Sequence, residues 1–114
     1  MMVSDNKLFL EELTYIVGNE LALNENVIGQ IIGKYHKSRI LITKVYQILN
    51  NNKSILPFIH DIEATIIDYI VREEMSYEKT YYGATLFVAD MFDTTQTYIK
   101  CKLNKSRQTL KKIS

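Results

Sequence analysis

The chain has 114 residues, 46% of them hydrophobic and 24% charged, with a formal net charge of +1, a balance that fits one folded domain and excludes a disordered polyelectrolyte. A single cysteine, Cys101, excludes an intrachain disulfide, and no apolar run approaches the ~20 residues needed to span a bilayer. Asp5, Glu11 and Glu12 interrupt the N-terminal stretch where a secretory signal would need an apolar core, so a cytoplasmic protein without a membrane span, folded as one helical domain over residues 1–114, is expected.

Ser4 is placed to cap a first helix, in which Phe9, Leu13, Ile16, Val17 and Leu21 recur at helical spacing. Leu23 and Asn24 are expected to end it, and Asn24 to cap a second helix over about 25–34 with Val27, Ile28, Ile31 and Ile32 as its apolar face. The polar run Tyr35-His36-Lys37-Ser38 reads as a break. A third helix follows, with Ile40, Leu41, Val45, Ile48 and Leu49 on one side, and stops in Asn50-Asn51-Asn52-Lys53. Ser54 and Pro57 then open a fourth helix, with Pro57 in a first turn that has no use for its missing N–H. Phe58, Ile59, Ile62, Ile66, Tyr69 and Ile70 form the expected core face of that helix, and Arg72 to Met75 its frayed end. Ser76 is expected to cap a fifth helix, with Glu78 and Lys79 in its first turn. The series Tyr81, Tyr82, Val88, Phe92, Ile99, Leu103, Leu110 and Ile113 could run as one long helix, but Asp93-Thr94-Thr95-Gln96 has the form of a capping box, which divides it in two near Asp93. The fold expected is all-α, an irregular bundle of five to six short helices. The alternative is α+β, because Thr97 to Leu103 also alternates as a strand would, giving a C-terminal β-hairpin around 85–103.

Charge is distributed in blocks. Residues 1–25 carry a net −4, residues 26–60 a net +5, residues 61–93 a net −6 and residues 94–114 a net +6. Either neighbouring elements of opposite sign pack together, or folding gathers the two positive blocks on one face and steers a negative partner.

Two short helices around a polar turn, 25–34 and 38–50, have the outline of a helix-turn-helix, with Lys34, Lys37, Arg39 and Lys44 as the phosphate-facing candidates. Gly29 and Gly33 would suit a close helix contact. Arg39 and Gln47 are the main side chains suited to base edges. Gly33-Lys34-Tyr35-His36 lacks the second glycine that the RNA-clamping loop of KH domains requires. The basic stretch Lys100 to Lys112 carries an apolar seam that could dock on the body of the protein, meet an acidic partner or an anionic surface, or join two copies in a homodimer.

No nucleophile elbow, phosphate loop or dinucleotide fingerprint is present. His60, Asp61 and Glu63 are too few to hold a metal, which needs three or four converging ligands. Cys101 has Lys100 and Lys102 beside it but no base. No catalytic, cofactor or metal site is therefore expected. Eight tyrosines are present, and Tyr77, Tyr81 and Tyr82 cluster. Such aromatics either line a core or anchor an interface. The codon skew behind abundant Ile, Lys, Asn and Tyr and scarce Gly and Pro fits an AT-rich genome, including those of phages and viruses. The function expected is a non-enzymatic regulator, adaptor or inhibitor that binds another protein through Tyr77, Tyr81 and Tyr82. A DNA-binding regulator using residues 25–50 and a self-associating assembly component are the alternatives.

Overall fold

The computed structural model describes residues 5–113, with side chains described for 6–105, so Ser4 and the side chains of Leu110 and Ile113 lie outside the described residues. The architecture is all-α: six α-helices and a short 3-10 helix occur among the described residues, and no strand. Residues 85–103 are helix, turn and helix, so the hairpin alternative is set aside. The chain packs as two compact units, Met1–His60 and Asp61–Ser114.

In the first unit, α1 (Asp5–Gly18), α2 (Glu25–Tyr35) and α3 (Arg39–Asn51) pack on one another, and the 3-10 helix Lys53–Phe58 packs on α1 and α3. Phe9, Leu10, Leu13, Ile16 and Val17 of α1 are buried, as are Ile28 and Ile31 of α2 and Leu41, Ile42, Val45, Ile48 and Leu49 of α3. This is the apolar stripe of amphipathic helices facing a core. Asn24 caps α2 by accepting from the Val27 N–H at 2.9 Å, and Ser38 caps α3 by accepting from the Leu41 N–H at 3.2 Å.

Three expectations for this unit are corrected. The first helix ends at Gly18 instead of running to Leu23. Glu20 adopts φ 56°, the Leu21 N–H reaches back to the Ile16 carbonyl at 2.9 Å, and the Glu20 N–H to that of Val17 at 3.1 Å, which is a Schellman termination. Leu21 is thereby released to the surface. Ile42, and not Ile40, joins the core of α3; Ile40 is 74% exposed beside the cap. Gly29 and Gly33 mark no close helix contact, since a Cβ at either would meet nothing within 4 Å.

The second unit is a three-helix arrangement of α4 (Ile62–Ser76), α5 (Tyr81–Met91) and α6 (Gln96–Ile113), each packed on the other two. Ile66, Ile67 and Ile70 of α4, Ala84 and Val88 of α5, Phe92, and Ile99 and Leu103 of α6 fill the interior. The expected start of the fourth helix at Ser54 and Pro57 is wrong. Pro57 lies in the 3-10 helix, Phe58 is 84% exposed, and Asp61 in extended backbone caps α4 by accepting from the Ala64 N–H at 3.0 Å. Tyr69 also faces outward. The fifth helix is capped by Thr80, not Ser76, which belongs to the last turn of α4. The division near Asp93 is present, but its chemistry is reversed. Asp93 is the left-handed residue that closes α5, at φ 53°, with the Thr94 N–H on the Ala89 carbonyl at 2.9 Å. Thr95 caps α6 by accepting from the Tyr98 N–H at 3.1 Å.

Candidate interaction surfaces

The α2–α3 hairpin was the candidate for nucleic acid, and its cations are engaged within the protein. Lys34 Nζ donates to Glu12 at 2.8 Å, and Arg39 donates to Glu25 at 2.7 Å. Lys37 is only 6% exposed, and Lys44 is half-buried. The Glu12 carboxylate holds the Lys34 ammonium above its ordinary value. Burial, followed by the same carboxylate, pushes the Tyr35 phenol up. Lys34 and Arg39, both well exposed, are thus paired with acids of the same unit. Between α1 and α2 an open groove of about 510 Å³ is lined by Ile16, Val27 and Ile31 and bordered by the Glu12–Lys34 pair, a feature the sequence did not announce.

The ion pairs decide how the charge blocks are used. Glu12–Lys34, Glu25–Arg39 and Glu20–Lys53 join the first negative block to the first positive one. Asp61 and Glu63 join the second negative block to Lys102 of the second positive one. Elements of opposite sign are therefore neighbours inside each unit.

That last pairing is a largely buried polar cluster of the second unit. Glu63 is 3% exposed, and its Oε1 accepts from the Tyr98 hydroxyl at 2.6 Å and from Lys102 at 3.1 Å. Lys102 also stands 3.5 Å from Asp61. Burial alone would raise the Asp61 carboxyl, but the Ala64 N–H and the Lys102 ammonium outweigh it and hold the group below its ordinary value. Burial likewise pulls the Lys102 ammonium down, and Glu63 and Asp61 more than restore it, leaving it raised. A lysine thus occupies the position between the carboxylates that a metal would need. Among the described residues no group of three or more His, Cys, Asp or Glu side chains converges on a metal position.

The tyrosine cluster is split. Tyr77 closes α4 and is exposed, Tyr81 is half-buried, and Tyr82 is 61% exposed. Around Tyr82 the outer side of α5 is apolar. Tyr82 and Leu86 lie four residues apart on one line of the helix, and Gly83 and Phe87 on the next, while Ala84, Thr85, Val88 and Ala89 face the core. Leu86 and Phe87, both exposed, were not singled out from the sequence. The signal available was that most of α5 is apolar on its outer side as well as its inner one, with Asp90 as its one charge, whereas a surface helix carries an apolar stripe. Lys79 sits over the Phe87 ring, 3.7 Å from its centroid, while donating to Glu74 at 2.7 Å. Gln96 of α6 donates to the Thr85 hydroxyl at 2.9 Å and fixes the N-terminal half of α5 from its inner side.

Of the uses considered for the C-terminal seam, docking on the body of the protein is the one observed as far as it is described, because Ile99 and Leu103 are buried in the second unit. Cys101 lies exposed on α6. No helix among the described residues is long and apolar enough to cross a membrane. No family model, no curated protein and no solved structure matches the chain.

Proposed function

We propose that the chain is a small non-enzymatic adaptor or regulator, acting inside the cell, that binds a partner protein through the outward face of α5 together with Tyr77. The observation that carries this reading is the pairing of a buried inner face on α5 with an exposed outer face made of Tyr82, Leu86 and Phe87. Single apolar residues on a surface are ordinary, whereas three large ones on adjacent lines of one short helix are the composition of an interface centre. Each side chain is about half exposed, so covering it would contribute roughly 1 kcal/mol apiece from apolar area alone. Two of the three are aromatic, with few rotatable bonds to immobilise on docking. A platform of three packed helices holds them, so little reorganisation opposes binding. The first unit, in which Lys34, Arg39 and Lys53 are bonded to its own acids, supports a DNA-binding reading less well.

The test is capture of native partners by tagged full-length protein, with Leu86→Ser/Phe87→Ser as the matched control and far-ultraviolet circular dichroism to show that the control is folded. The reading requires a partner that is lost with this pair of substitutions and retained with Arg39→Ala/Lys44→Ala. A partner retained by the first variant and lost by the second would move the function to the α2–α3 hairpin.

A further inference from the structure

We infer that the occupant of the α5 face is a basic amphipathic helical segment, an inference that rests on the reading of this face as a docking surface. The first argument is charge. Glu78, Asp90 and Asp93 are exposed acids around this face, and Lys79, the cation within it, is bonded to Glu74 at 2.7 Å. Asp90 continues the line of Tyr82 and Leu86 four residues on, so the apolar ridge ends in an exposed carboxylate. Glu78 stands exposed beside Tyr77, and Asp93 is exposed just beyond the end of α5. A partner must bring positive charge to this rim, or it leaves carboxylates desolvated without a counter-ion.

The second argument is that the face already binds a lysine of its own chain: the Lys79 ammonium lies 3.7 Å above the Phe87 ring centroid and reaches Glu74. This combines a cation on an aromatic face with a carboxylate clamp that Lys79 itself fills, so the surroundings of the ridge accommodate a lysine, and a partner's cations fall to the acids around it. Tyr82 and Tyr77 present further exposed aromatic rings, both close in sequence to an acid.

Shape and symmetry narrow the occupant further. From Tyr82 to Phe87 the ridge runs for one to two helical turns, about 8 Å at 1.5 Å per residue, the footprint of one helix laid across another. A second copy meeting this face symmetrically would set acid rim against acid rim, because a two-fold contact pairs a patch with itself. The occupant is therefore a different surface, with Leu-like side chains at helical spacing and Lys or Arg flanking them.

The probes are three fluorescently labelled amphipathic peptides of about 14 residues, long enough to form a helix on docking, built from Leu/Lys, Leu/Gln and Leu/Glu in one pattern. Their binding to the full chain is followed by anisotropy. The Leu/Lys peptide should bind about tenfold more tightly than the Leu/Gln peptide, and the Leu/Glu peptide most weakly. Leu86→Ser/Phe87→Ser should abolish Leu/Lys binding. Glu78→Gln/Asp90→Asn should bring it down to the Leu/Gln level while leaving Leu/Gln binding intact. Equal binding of all three peptides, lost in Leu86→Ser/Phe87→Ser, overturns the basic occupant and leaves the docking surface standing. Binding of every peptide that is absent, or indifferent to Leu86→Ser/Phe87→Ser, overturns the docking surface itself. A concentration-dependent dimer in sedimentation, abolished by the same pair of substitutions, assigns the face to a second copy and also overturns the inference.

Discussion

Lys102→Met should destabilise the second unit well beyond the loss of a surface ion pair. Exposed pairs contribute about 0–1 kcal/mol. Here the Lys102 side chain is 16% exposed and that of Glu63 5%, at an N–O distance of 3.1 Å. Removing the ammonium strands a buried carboxylate whose Oε2 already lacks a hydrogen bond, and leaves the Tyr98 hydroxyl to hold Oε1. Breaking a buried pair from one side costs about 3–5 kcal/mol. Since Lys102 is not fully enclosed and methionine retains its aliphatic stem, about 2–3 kcal/mol is expected, a large part of the stability of a small unit. Glu63→Leu/Lys102→Met removes both charges and should be less destabilised than Lys102→Met, because the desolvation penalty disappears with the attraction and the loss that remains is the acceptor of the Tyr98 hydroxyl. Tyr98→Phe should cost about 1.5–3 kcal/mol, the contribution of a hydrogen bond to a charged acceptor. Urea unfolding of the full chain, followed by far-ultraviolet circular dichroism, measures all three. A cost below about 1 kcal/mol for Lys102→Met, or a double variant as unstable as the single one, would refute the buried-pair argument.

Asp93→Gly should stabilise the chain by roughly 1 kcal/mol, since glycine takes the left-handed cap without the Cβ penalty; a thermal midpoint that stays level or falls would show that the aspartate side chain compensates for its backbone. Gly29→Ala, in an exposed helix interior with open space around the new methyl, should stabilise by about 0.5–1 kcal/mol in the same measurement. Because the folded-state pKa of Asp61 lies below its ordinary 3.8, its contribution is fully present above that value and lost as pH falls through the folded pKa. Carboxyl resonances followed by NMR should place the Asp61 titration below the unfolded value, and Lys102→Met should move it upward.

Two helix starts were legible, at Asn24 and Ser38, and three were misplaced, because Asp61, Thr80 and Thr95 cap the helices expected to begin at Ser54, Ser76 and Asp93. Asn24 and Ser38 act through their own side chains on an N–H three residues ahead, so sequence alone identifies them. The ends depend on a residue entering the left-handed region, usually glycine. This chain has four glycines, none with positive φ, and gives those positions to Glu20, His36, Glu78 and Asp93. A helix that stops at Glu20 therefore reads as one that continues to Leu23, and Asp93 reads as the start of a helix when it is the end of one. Faces were legible where the stripe was narrow, as in α1, and failed beside caps and turns. Ile40 and Phe58 are apolar, but their backbone positions turn them outward. Of the candidate surface, Tyr77 and Tyr82 could be picked out as surplus aromatics. Leu86 and Phe87 could not be separated from core residues until the inner face of α5 was assigned.

The confinement of opposite charges to adjacent helices has a kinetic corollary. In the first unit the Glu25–Arg39, Glu12–Lys34 and Glu20–Lys53 pairs close over separations of 14, 22 and 33 residues, so no loop in that half is long. Short closures favour rapid collapse. During synthesis, which proceeds from the N-terminus, residues 1–60 can complete their own packing while the acidic and basic stretches of the other half are still on the ribosome, and the first half does not have to wait for a counter-ion from the second.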